Sequence, residues 1–345
     1  MGSTAVDKRL ALRRSIVIWS GILLLTVAAL FSAVGILNRE LYSAPAFVRI
    51  YLDALANHDV AAALATPGVT VAASDSPGGA PSTELVTPDA LGGLSDATLV
   101  SDTELSPGRH RVVYAYTLTG LDDHAVRTQT EFDVRQTGTG WFLFPQWTFV
   151  SPPTATVTVT VSHAASFRSG TAQVSLPDPA SFHSSAEFDV LVPGLYVLSH
   201  SSAYLGSRSV AVTASASGAR LSAVVDVQPT YAFVDAVKSE VDDFLDQCAT
   251  ERLLYPPGCP FGLDIDDRIT TEPSWSIETY PTPFTIIAGQ DSWIVPNSSG
   301  LAHVTVDVRS LFDGTVSTID KSVLYNVSFS LTIEPDGSIR FGPRS

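Results

Sequence analysis

"APAFVRIYLDALANHDVAAALA", residues 44–65, sets apolar side chains at a helical period and then breaks it. Phe47, Ile50/Tyr51 and Leu55 fall on one helical face. "NHD" at 57–59 interrupts the pattern, and Asp59 is placed to cap a short second helix, "VAAALA". From Thr66 to about residue 94 the chain is rich in Gly, Pro and Ser and reads as a long loop. Strand candidates follow at 110–120, 125–136 and 140–150, joined by the turn-like links "LDDH" and "TGTG". A first domain over 41–150 is therefore expected to be helices followed by an antiparallel meander.

"SPPT" at 151–154 reads as a stiff linker. Beyond it, 154–228 holds no helix-period segment and no cysteine. "ATVTVTVSHAASF" alternates with period two, and "AEFDVLVPGLYVLSH", "SRSVAVTASAS" and "ARLSAVVDVQ" continue as short strands. Such a stretch predicts a small β-sandwich, immunoglobulin-like in the loose sense. Helical period returns in "QPTYAFVDAVKSEVDDFLDQCA", with Val234, Val237, Val241, Phe244 and Leu245 as the expected buried stripe. Thr230 is the expected cap, and Lys238 and Asp242 form an i,i+4 pair on the wet side. Strands are expected at 274–280, 284–289, 300–312, 322–334 and 338–342, completing a third domain over 229–345. The first and third domains share the order helix, loop, long antiparallel strands, as a diverged duplication would.

The helix motif, through Tyr51, Leu55, the "NHD" break and Leu64, and the closing "GWFLFPQWTFV" resemble the cystatin-like α+β cone of the nuclear-transport-factor-two (SnoaL-like) superfamily. The resemblance covers 44–150 and 230–345, and implies a curved sheet wrapped around a long helix. The order of anchor, cone-like unit, β-unit and cone-like unit also resembles TcaA-type bacterial envelope proteins. Those carry an N-terminal zinc ribbon, whereas residues 1–14 here hold no cysteine.

The N-terminus supports that order. Residues 1–14 carry Lys8, Arg9, Arg13 and Arg14 against Asp7, and residues 15–37 carry no charge. Twenty-three residues rise roughly 35 Å, enough for the ~30 Å hydrocarbon core. The expectation is a transmembrane helix over 15–37 with the basic tail 1–14 in the cytoplasm. A cleaved signal peptide is the alternative, although the run is long for one and "NREL" is a poor cleavage site. The expected fold class is thus α+β, with a single N-terminal transmembrane helix and two cone-like domains flanking a small β-sandwich. The expected localisation is single-pass in the plasma membrane with the C-terminal domains extracellular, so that the bilayer is a partner through 15–37.

Beyond residue 40 lie 15 basic and 33 acidic residues, net −18, which excludes a nucleic-acid partner. Three lysines against seventeen arginines, with abundant Ala, Val, Thr and Asp, match the usage of GC-rich bacteria such as actinobacteria. Cys248 and Cys259 are the chain's two cysteines, and outside a membrane they would close a structural disulfide. There is no C-x-x-C, and no histidine within forty residues of either. Asp264, Asp266 and Asp267 in "DIDD" offer oxygen ligands, yet the calcium-loop pattern of an EF-hand is missing, and a solvated acidic loop is the plainer reading. His58 and Asp59 are adjacent at a helix break and read as a surface residue and a cap. His110, His124 and His303 read as solvated strand-end or turn residues. Trp141, Trp147, Trp275 and Trp293 are candidates for stacking on a glycan or peptide, with core packing as the alternative. No nucleophile–base motif, P-loop or H-E-x-x-H occurs, so neither catalytic residue nor cofactor is expected. The functional expectation is a non-catalytic envelope protein that presents interaction modules to a protein or cell-wall partner. A ligand-binding or sensory ectodomain and a cone-fold enzyme are the alternatives.

Overall fold

The structure, a computed structural model, describes residues 18–32, 35, 41–71, 81–120, 125–140, 144–176, 182–334 and 336–342. Residues 18–32 are helical (α1), with Trp19, Leu24 and Phe31 among its exposed side chains. Among the described residues no helix is long and apolar enough to cross a membrane. The expected transmembrane helix over 15–37 and the single-pass localisation are therefore not supported, and residues 15–17, 33–34 and 36–37 of that span lie outside the described residues. The tail 1–14 lies outside the described residues.

Helix α2 (Ala44–Ala56) starts where Ser43 accepts a hydrogen bond from Ala46 N at 3.3 Å. Its buried face is Ala44, Val48, Tyr51, Leu52 and Leu55, while Ile50 is 62% exposed. Two adjacent stripes fit a 3.6-residue period equally well. The sheet selects the one that sets Tyr51 against Phe149 and Phe132, with ring centroids 5.3 and 6.3 Å away. Asp59 caps α3 (Val60–Ala65), accepting from Ala62 N at 2.9 Å, as its position suggests. The meander is β1 (Gly93–Ser106), β2 (Arg109–Thr119), β3 (Ala125–Gly140) and β4 (Phe144–Phe149), paired in chain order. Strand β1 escaped the sequence reading because it is an edge strand exposed on both faces beyond Leu94, so it carries no alternation.

The sandwich packs two four-stranded sheets. One orders β10 (Leu205–Ser207), β12 (Arg220–Pro229), β5 (Thr154–Ser162) and β8 (His183–Leu191). The other orders β11 (Val210–Ala214), β9 (Gly194–Ser199), β6 (Ser166–Ser169) and β7 (Ala172–Ser175). Alternation in β5 buries Ala155, Val157, Val159 and Val161, and Phe167 meets Phe188 across the sheets at 5.4 Å. The turn "VPG" is closed by Tyr196, whose hydroxyl accepts from Leu191 N at 2.8 Å and donates to Leu191 O at 3.2 Å. Burial holds this phenol far above its ordinary pKa, so the hydroxyl keeps its proton. A Cβ on Gly194 would stand 2.7 Å from the Tyr196 ring, so the turn needs glycine there. Tyr196→Phe strands the buried Leu191 N–H and is expected to cost about 1–3 kcal/mol. Urea denaturation should show a lowered midpoint at constant slope, and an unmoved midpoint would mean that the amide finds another acceptor.

The third unit begins without a linker: β12 ends at Pro229, and Thr230 caps α4 (Tyr231–Ala249) by accepting from Phe233 N at 3.3 Å. Its sheet orders β13 (Arg268–Ile269), β16 (Trp293–Arg309), β17 (Val316–Ile333) and β18 (Ile339–Gly342). Strands β14 (Ser274–Thr282) and β15 (Ile287–Ala288) also pair with β16. Both end units thus run helix, then four antiparallel strands (β1–β4; β14, β16, β17, β18).

The balance corrects the α+β expectation. Of the described residues 51% are in strand and 18% in helix, so the chain is mostly β. Nor is 151–154 a free spacer. Pro153 O accepts from the Tyr51 hydroxyl at 3.2 Å and from Val192 N at 2.9 Å, and Thr154 already belongs to β5. Gly92 N donates to Leu195 O at 2.9 Å, and Thr130 Oγ1 donates to Ser215 O at 2.6 Å, so the first unit is bonded to the sandwich.

Candidate ligand-binding groove

Helix α4 lies on its sheet with one flank closed and one open. Its buried stripe is Phe233, Val237, Val241, Leu245 and Cys248. On the closed flank Lys238 pairs with Asp242 and stands 5.6 Å from the centre of the Tyr280 ring. The Tyr280 hydroxyl donates to Asp246 at 2.6 Å, and that carboxylate pushes the phenol up to about 12. These contacts fasten α4 to β14. On the other flank the sheet ends at β18, only four residues long, and a groove of about 600 Å³ remains.

The helix wall of the groove carries Val241, Phe244 and Gln247, with Glu240 and Asp243 above them. Its floor carries Val327 and Phe329 from β17 and Ile339 and Phe341 from β18. Phe329 and Phe341 lie 5.2 Å apart, yet Phe341 is 40% and Phe244 47% exposed. Among the described residues no cation lines the groove. Its described lining is thus apolar with two acids, Glu240 and Asp243. The helical period places Phe244 in the buried stripe, but it is exposed. The sheet covers the i,i+4 row Phe233, Val237, Val241 and Leu245, whereas Phe244, three residues after Val241, falls on the flank beside that row.

The disulfide between Cys248 and Cys259 is present, with Cα atoms 5.8 Å apart. It anchors the last turn of α4, beside Gln247 and within two turns of Phe244 and Val241. The loop it closes is also held from outside: Leu254 O accepts from Leu263 N at 2.9 Å, and just past the bridge Phe261 lies 4.9 Å from Trp275.

The other residues singled out from sequence are spread over the molecule. Asp264 accepts from Tyr255 and raises its phenol, Asp267 Oδ1 accepts from Leu311 N at 3.2 Å, and Asp266 is exposed. Among the described residues no three His, Cys, Asp or Glu side chains are grouped to hold a metal. Trp275 donates to Leu253 O at 2.8 Å and is 6% exposed. Trp293, 2% exposed, packs against His163, Phe182 and Phe233 where the sandwich meets the third unit. Neither offers a face to a glycan. Trp147 is half-buried, donates to Tyr42 O at 2.8 Å and meets His110 edge-on at 5.3 Å. Trp141 and His124 lie outside the described residues. His110 stands at the start of β2, as expected of a strand-end residue, whereas His303 lies inside β16; each pairs with an aspartate, Asp102 and Asp320 respectively. His58 lies 3.2 Å from Pro88 O.

A second cleft of about 460 Å³, between the meander and the sandwich, is polar. Its Asp133 is held by Arg111 at 2.8 Å and Arg109 at 3.2 Å, and the Arg111 hydrogen bond keeps the carboxyl below its usual range. Its charges are matched internally, unlike those of the α4 groove.

No protein family, curated protein or solved structure matches the chain. The functional reading therefore rests on the geometry of the groove.

Proposed function

We propose that the protein is a non-catalytic binding protein whose third unit takes an apolar ligand between α4 and the β17–β18 hairpin. The observation that carries this reading is the groove itself. Its volume falls within the roughly 300–1,000 Å³ of small-ligand sites, and two aromatic rings stand part-exposed in it. Fully burying an exposed phenylalanine contributes about 1.5–3 kcal/mol, so a ligand covering both rings gains most of its affinity there. The disulfide holds the helix wall in place before binding, which lowers the ordering cost.

Nile red, a neutral dye whose emission rises in apolar surroundings, tests the reading. It is expected to bind the whole protein at micromolar concentration. Gln247→Trp fills the groove from its rim and should abolish the signal with an unchanged circular-dichroism spectrum. Dye binding that survives this substitution, or fails in the parent protein, would overturn the proposal.

A further inference from the structure

We infer that the natural occupant of the groove is an extended peptide segment of alternating apolar and cationic residues, added as a strand to the free edge of β18. The inference rests on the binding reading above and names its ligand. Strand β18 is an edge: among the described residues it pairs with β17 alone. Glu334 N donates to Ser338 O at 2.9 Å, and the register continues as Thr332 opposite Arg340. Alternation along an antiparallel pair then turns the backbone groups of Ser338 and Arg340 toward β17. Those of Ile339 and Phe341 point to the open edge, and the side chains of these same two residues floor the groove. An apolar molecule alone would leave that edge unpaired. A peptide strand satisfies the edge and the groove together.

The edge is also unprotected. Strand β1, the long edge of the first unit, is broken by three register shifts and carries Asp96, Asp102 and Glu104, which discourage pairing. Strand β18 has no register shift and no proline, and its one charge, Arg340, is engaged by Glu334 at 2.7 Å. The rim supplies the charge preference. Glu240 and Asp243 line the groove beside the position of the incoming strand, with no cation among the described lining residues, on a chain of net charge −15. Basic residues in the partner would meet these acids while its apolar residues meet Phe244 and Phe341.

A capped heptapeptide of alternating Lys and Val is the probe, titrated calorimetrically into the whole protein. In an antiparallel addition the groove-facing Val residues lie opposite Ile339 and Phe341, so their amides make the hydrogen bonds. N-methylation of the Val amides is expected to lower affinity about tenfold or more, and N-methylation of the Lys amides to leave it nearly unchanged. The Glu/Val counterpart should bind far more weakly than Lys/Val. Equal loss from both methylation patterns would overturn strand addition, and equal binding of Glu/Val would overturn the charge preference. Nile red binding without peptide binding would refute the peptide while leaving the groove reading standing. Failure of both ligands would remove both.

Discussion

Tyr51→Ala is expected to destabilise the protein by about 3–5 kcal/mol, the range for removing a large buried aromatic side chain. Tyr51 is fully buried in α2, edge-on to Phe149 and Phe132. Its hydroxyl also donates across the boundary between the first unit and the sandwich, to Val192 O at 2.8 Å and Pro153 O at 3.2 Å. Burial raises its pKa well above the ordinary value, so the donor is present at any working pH. Truncation therefore removes ring packing and takes the hydroxyl from Val192 O, while Pro153 O keeps Val192 N as a donor. Tyr51→Phe keeps the ring and is expected to lose only about 1–3 kcal/mol. Guanidinium denaturation followed by tryptophan fluorescence would measure both. Near-equal stability of the Phe variant and the parent would show that the hydroxyl does not tie the units together.

Removing the cystine by Cys248→Ala/Cys259→Ala is expected to cost about 3 kcal/mol. The bridge closes a loop with a sequence separation of 11, and opening it restores chain entropy to the unfolded state. Cys248 is 3% exposed, so the variant also loses packing at the end of α4. The folded loop has other holds, such as Trp275 Nε1 on Leu253 O at 2.8 Å, so the fold should survive with a lower unfolding midpoint. Nile red affinity should fall in parallel, because Gln247 and Phe244 stand on the helix end that the bridge anchors. Unchanged stability would mean that the loop is already constrained when unfolded. Unchanged dye binding would uncouple the bridge from the groove.

Much of the local structure was legible in the residues. Asp59 and Thr230 are caps because a short oxygen-bearing side chain before an apolar run accepts the free amides of a first turn. The Thr/Val alternation of β5 states its two faces directly. Strand β1 was illegible because beyond Leu94 only Ala97 is even partly buried, and the membrane-spanning expectation fails because no described helix is long and apolar enough to cross.

Of the candidate site, sequence alone determined the cystine pair, the amphipathic character of α4 and the acidity of the chain. These follow from residue identity and spacing within one element. The tertiary structure alone decided which flank of α4 is covered. Lys238, Asp242 and Asp246 close one flank because β14 arrives beside them with Tyr280. Phe244 stays open because, among the described residues, no strand lies beyond β18. Burial depends on which distant strand packs against a face, and the helical period is the same whether that strand is present or absent.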